Sequence, residues 1–156
     1  MYSLYKIFHP EVFQGSLKKS NYFEGRYFKN VSADTGFAFA VIPGISLSND
    51  SHTFIQYIDG NTGRSSYFRY KTGDFVSNNK KFEVRIGKSL FSPGGIILEL
   101  KNCEYEINGK IDNIEVSTLP RSILRPGIMG WYAYIPGMEC NHGIVSIDHK
   151  LAGFVS

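Results

Sequence analysis

Tyr22, Glu24, Arg26 and Phe28 alternate through the segment Tyr22-Phe23-Glu24-Gly25-Arg26-Tyr27-Phe28. Successive side chains of an extended strand point to opposite faces, so these four share one. A carboxyl group set in an aromatic wall is a plausible proton donor, because desolvation favours its neutral form. Glu24 is the first candidate for that role, and Glu139 the second. Arg26 pulls the other way, since a guanidinium beside a carboxylate makes an ion pair in place of an acid. His52 and Gln56 share a face of His52-Thr53-Phe54-Ile55-Gln56-Tyr57-Ile58 and offer polar groups to a ligand oxygen, or form a satisfied wall pair. Trp131, Tyr132 and Tyr134 offer π-faces to a cationic group, or ordinary strand packing.

Other chemistries find little support. Glu139, His142, Asp148 and His149 invite a metal, but their spacing fits neither HExxH nor an EF-hand loop. A hydrolase elbow, a phosphate-binding loop and a dinucleotide fingerprint do not occur. No metal and no cofactor are expected. The two cysteines, Cys103 and Cys140, lack a CxxC partner and read as free thiols.

The elements that must position these groups are strands. Turn signals recur at Asp59-Gly60-Asn61-Thr62-Gly63, Lys71-Thr72-Gly73-Asp74, Ser77-Asn78-Asn79-Lys80, Gly87-Lys88 and Ser92-Pro93-Gly94-Gly95. They continue at Asn108-Gly109, Arg125-Pro126-Gly127, Pro136-Gly137 and Asn141-His142-Gly143. Segments of roughly 5 to 10 residues lie between them, the spacing of a sandwich or barrel. Asn108-Gly109 is the best hairpin signal, because both residues tolerate the positive φ of a type I′ turn. Phe82-Glu83-Val84-Arg85-Ile86 alternates with period two, and so does Glu104-Tyr105-Glu106-Ile107-Asn108. Helical candidates are one-turn pieces near 9–13 and 118–124. The expectation is a single all-β domain over 1–156, a lipocalin-like antiparallel β-barrel with meander connections, closed, incomplete or open.

Three strands, at 22–28, 37–42 and 52–58, depart from simple apolar-in, polar-out alternation. Phe37-Ala38-Phe39-Ala40-Val41-Ile42 is apolar on both faces, bulky on one and small on the other. The aromatic strands carry sparse polar groups, which suits the wall of a ligand cavity. The competing picture is a filled barrel closed around one buried ion pair.

The chain has 156 residues, 42% hydrophobic and 20% charged, enough for one core without disulfides. Its 12 Phe, 10 Tyr and one Trp argue against disorder. A net charge of +3 with no basic run argues against nucleic acid as a partner. No apolar stretch approaches the ~20 residues of an integral membrane segment. The amino end lacks the order of a secretory signal, so the chain is expected in the cytoplasm. An exposed strand edge at 144–147 or near Phe154 is expected to pair either with a second copy, making a homo-oligomer, or with a strand at 3–8.

An ordered set of segments then carries a resemblance. His9-Pro10-Glu11-Val12-Phe13-Gln14-Gly15 precedes Tyr22-Phe23-Glu24-Gly25-Arg26-Tyr27-Phe28-Lys29, Phe39-Ala40-Val41-Ile42-Pro43-Gly44-Ile45-Ser46 and His52-Thr53-Phe54-Ile55-Gln56-Tyr57-Ile58-Asp59-Gly60. Met129-Gly130-Trp131-Tyr132-Ala133-Tyr134-Ile135-Pro136 and Met138-Glu139-Cys140-Asn141-His142-Gly143-Ile144-Val145-Ser146 follow. From His9 to about Phe154 the chain resembles the amino-terminal half of the tocopherol cyclase family, with Arg26 where that family usually has Trp. The resemblance implies the first of two lipocalin-like units, the second being the missing barrel unit. For the plant members it also implies closure of a chromanol ring on a prenylated hydroquinone. That reaction needs an acid beside a trisubstituted alkene, a phenol oxygen to trap the tertiary cation, and exclusion of water. A hydrophobic prenylated quinol or isoprenoid-type ligand is the partner implied, whether cyclised or only carried.

Overall fold

The computed structural model describes residues 5–6, 11–31, 36–102, 105–118 and 138–151, with the backbone alone at Tyr105, 113–118 and 138–151. Among the described residues, alternating segments broken by turn residues give eleven strands, all paired antiparallel. The first five are β1 (Tyr22–Gly25), β2 (Phe28–Val31), β3 (Ala38–Leu47), β4 (His52–Asp59) and β5 (Ser65–Tyr70). They form one sheet in the order β1-β3-β4-β5, with β2 also on β3. β1 and β2 therefore lie end to end along the same edge of β3, opposite residues 44–47 and 38–41 respectively. Between them Arg26 N donates to Pro43 O (3.0 Å), which carries the ladder across the interruption.

The second sheet holds β6 (Phe75–Ser77), β7 (Val84–Ile86), β8 (Ser89–Ser92), β9 (Gly95–Lys101), β10 (Tyr105–Thr118) and β11 (Met138–Leu151) in simple meander order. A 3-10 turn at Thr72–Asp74 joins the two sheets. Among the described residues the sheets do not close on each other, so the fold is an open, barrel-like all-β arrangement.

Register decides what each face meets. Glu24 pairs with Ile45, Ile45 with Thr53, and Thr53 with Tyr70, so these share the inner face of the first sheet. Phe39, Val41, Ile55, Tyr57 and Phe68 lie on that face and join Ile86, Phe91, Leu98, Leu100 and Ile107 of the second sheet in one buried cluster. Fully burying each such side chain contributes about 1.5–3 kcal/mol. Where a hollow and a filled core were both open readings, the described interior is packed side chain against side chain. The bulky face of β3 is the inner one, and Ala38 and Ala40 face outward.

Several turn signals fall where expected. Asp59 Oδ1 accepts from Asn61 N (2.8 Å) and Thr62 N (3.1 Å), which folds the β4–β5 loop. Gly87-Lys88 links β7 to β8, with Gly87 at φ +57°. Two signals are corrected. Asn108-Gly109 does not turn but runs through β10, paired with β9 on one side and β11 on the other. Asn141-His142-Gly143 likewise runs through β11. Pairing with neighbouring strands overrides the local turn preference in both places. The 3-10 turns occur at Gly15–Leu17 and Thr72–Asp74, while 7–10 and 119–124 lie outside the described residues. So do the turn signals at 125–127 and 136–137, Cys103 and Phe154. Of the segment 3–8 only Tyr5 and Lys6 are described, in a helical turn, while 144–147 fall on β11.

Candidate functional site

The inner side of the β1–β2 edge gathers the first set of candidate residues. Glu24 Oε1 accepts from Arg26 Nη2 (2.6 Å), and Glu24 Oε2 accepts from Gln14 N (2.9 Å) and the Tyr22 hydroxyl. Arg26 Nη2 also donates to Val12 O (3.3 Å), and its guanidinium carbon lies 5.8 Å from the centre of the Phe82 ring. Period-two alternation brings Tyr22, Glu24 and Arg26 together. The carboxylate is surrounded by donors and ties the segment at 12–14 to the sheet edge. Phe28 continues the same face and stacks on Phe82 (5.9 Å) and Phe91 (5.6 Å).

Lys6 and residues 13–16 close over this cluster. Lys6 Nζ donates to Phe13 O (2.6 Å) and Ser16 Oγ (2.6 Å). Burial holds the Lys6 ammonium below the usual lysine range, against the opposing pull of the Glu24 charge. Phe13 meets Phe75 (4.8 Å) and Tyr22 (6.3 Å), which bridges the two sheets at this end.

Asn30 extends the same face by one more step and is the residue that sequence reasoning missed. Its side chain is buried at 5% exposure, opposite Phe39. Asn30 Nδ2 donates to Phe28 O (3.4 Å), whereas Oδ1 has no hydrogen-bond partner among the described residues. Exchanging the two amide atoms would set oxygen against oxygen at Phe28, so this orientation is the favourable one. A buried acceptor left open costs about 1–3 kcal/mol. Alternation with residues 22, 24, 26 and 28 gives the face of Asn30 but not its open acceptor.

His52 and Gln56 are not brought to this cluster. His52 pairs with Ser46 and Gln56 with Ile42, which places both on the outer face of the first sheet. His52 Nδ1 lies 2.7 Å from Asp50 O and Nε2 lies 2.7 Å from the Tyr67 hydroxyl. A carbonyl only accepts, so Nδ1 donates to Asp50 O, while Nε2 and the Tyr67 hydroxyl share one hydrogen bond. Gln56 Nε2 donates to Ser65 Oγ (2.8 Å). Beside them Phe54 stacks between Phe23 (5.8 Å) and Tyr67 (5.1 Å) across the sheet.

No family model, curated protein or solved structure matches this chain. The geometry above is therefore what bears on function.

Glu139 lies on β11 opposite Ser117, on the other sheet from Glu24. Trp131, Tyr132 and Tyr134 lie outside the described residues. His142, Asp148 and His149 pair along β11 with Asn113, Asn108 and Ile107. Among the described residues no group of three or more His, Cys, Asp or Glu is placed to hold a metal ion. No helix among them is long and apolar enough to cross a membrane.

Proposed function

We propose that the chain is a lipocalin-like unit of the tocopherol cyclase type that binds a prenylated quinol or another hydroxyl-bearing isoprenoid lipid. The observation that carries this reading is the open acceptor of Asn30, buried on an aromatic inner face. A phenolic hydroxyl on an apolar body supplies the missing donor, and aromatic walls suit the rest of such a molecule. The described core is packed, so the ligand reaches Asn30 from the unclosed edge along β2. Tyr22, Glu24 and Arg26 stand on the same face as polar groups for a second ligand oxygen.

In this reading Glu24, held by Arg26, Tyr22 and Gln14 N, orients the ligand and does not protonate it. If the unit cyclises its ligand, the proton on the alkene comes from a carboxyl outside that pair, and Glu139 is the remaining candidate. Without turnover the same site makes a carrier or sensor of apolar ligands. The open sheets favour a second reading, in which the chain is a half-module completed by another unit or copy.

Binding of a prenyl hydroquinone and of its dimethyl ether, followed by native mass spectrometry, tests the proposal. The hydroquinone should bind the parent protein roughly 2- to 12-fold tighter than the ether, the net worth of one hydrogen bond. Asn30→Leu should erase that preference. Equal affinity for both compounds, or no retained ligand in the folded protein, overturns it.

A further inference from the structure

The solvent-facing side of an antiparallel sheet is normally polar, and here aromatic and aliphatic side chains stand among the polar ones. Register turns Phe23, Val31, Ile42, Phe54, Ile58 and Tyr67 outward. Phe23 is 66% exposed and Tyr27, in the break between β1 and β2, is 63% exposed. Phe54, 4% exposed, has Phe23 and Tyr67 stacked on it, so the rings form a ridge across the face. An exposed apolar surface of this kind marks a contact.

The charges around it choose the occupant. None of the outward strand positions of this sheet is Asp or Glu among the described residues. Lys29 and Arg69 point outward, Arg69 being paired with Asp50 of the β3–β4 loop. Along residues 16–31 the exposed charges are Lys18, Lys19 and Lys29, because the single carboxylate, Glu24, faces inward onto Arg26. Aromatic side chains with flanking lysines fit a lipid interface, where rings sit at headgroup level and ammonium groups meet lipid phosphates. A second copy related by a two-fold axis would set the same cationic patch against itself. We propose that the outer face of the first sheet, with the β1–β2 edge as its rim, docks on an anionic lipid bilayer. This surface stands apart from the ligand reading, being on the opposite side of the sheet from Asn30.

Co-sedimentation with vesicles of phosphatidylcholine, with and without phosphatidylglycerol and free of quinol, tests it. The protein should pellet with the anionic vesicles and release as salt is raised. Lys29→Glu should weaken binding roughly fivefold for each of the two charge units changed. Phe23→Ser and Val31→Ser, at exposed sites, should each reduce binding while leaving the far-ultraviolet spectrum unchanged. No pelleting with anionic vesicles overturns the proposal, as does binding that ignores these three substitutions. Self-association abolished by Phe23→Ser, without vesicle binding, would assign the face to a protein contact instead.

Discussion

Gly25 and Gly44 are cross-strand partners in the β1–β3 ladder, and the structure predicts opposite responses to the same substitution. A Cβ on Gly44 would lie 2.5 Å from Phe54 Cζ, 2.8 Å from Phe54 Cε1 and 2.9 Å from Glu24 O. The ring cannot swing aside freely, because Phe23 and Tyr67 hold it on both faces. A Cβ on Gly25 would meet its nearest atoms, Ile42 Cγ2 and Phe23 Cζ, at 3.5 Å, which is ordinary contact. Neither glycine has a positive φ, so strain comes from contact alone. Overpacking of the Gly44→Ala kind costs about 1–3 kcal/mol. Restricting the unfolded chain returns about 0.4–1 kcal/mol. The net loss is about 1–2 kcal/mol, which lowers Tm by roughly 2–8 °C for a domain of this size. Gly25→Ala keeps only the gain and should match or exceed the parent. Urea denaturation followed by far-ultraviolet circular dichroism measures both. In a Phe54→Ala background about half or more of the Gly44→Ala loss should vanish, since the ring clash is gone and the Glu24 O contact remains. Equal stability of the two alanine variants, or a Gly44 loss indifferent to Phe54, would refute the reasoning.

Two further outcomes follow from the same coordinates. Glu24→Ala removes the acceptor that Arg26, Gln14 N and Tyr22 share and should cost about 1–3 kcal/mol. A Glu24/Arg26 double-mutant cycle should show coupling of about 1 kcal/mol or more, and coupling near zero would mean that the pair does not hold this edge. Burial, helped by the Asp59 charge, pushes the Tyr57 phenol far above its ordinary range. The folded state then keeps a proton that the unfolded chain has lost, so stability falls above about pH 10 by up to ~1.4 kcal/mol per pH unit. Lys6, held low by burial, acts in the opposite sense below the usual lysine value, because there the unfolded chain binds the extra proton. Tyr57→Phe should flatten the alkaline fall in a denaturation series, and superimposable limbs would contradict this account.

Strand content and most turns were legible because alternation and turn chemistry are local. Gly87-Lys88 turns, since a two-residue link between β7 and β8 demands the positive φ that glycine supplies. Asn108-Gly109 carries the same local signal and does not turn, because strands β9 and β11 claim its backbone from both sides. The site divided for a related reason. Alternation grouped Tyr22, Glu24, Arg26 and Phe28 correctly, and it grouped His52 with Gln56 correctly. It could not say that the two groups lie on opposite sides of one sheet, since that depends on the pairing of Glu24 with Ile45 and of Ile45 with Thr53. Asn30 escaped notice for a different cause. Its meaning rests on the missing partner of one oxygen, a property of packing that no spacing encodes.

The division of the chain at Thr72–Asp74 has a consequence for how the molecule comes into being. Every strand of the first sheet precedes that turn and every strand of the second follows it. A ribosome therefore delivers one whole layer before the sheet that covers it. Phe39, Ile55, Tyr57 and Phe68 must wait for Phe91, Leu98 and Leu100. At ~5–20 residues per second that delay is on the order of seconds. For that interval the newborn layer is greasy on both sides, and anything that shields it then, a chaperone or a nearby bilayer, acts on an intermediate the finished protein no longer displays.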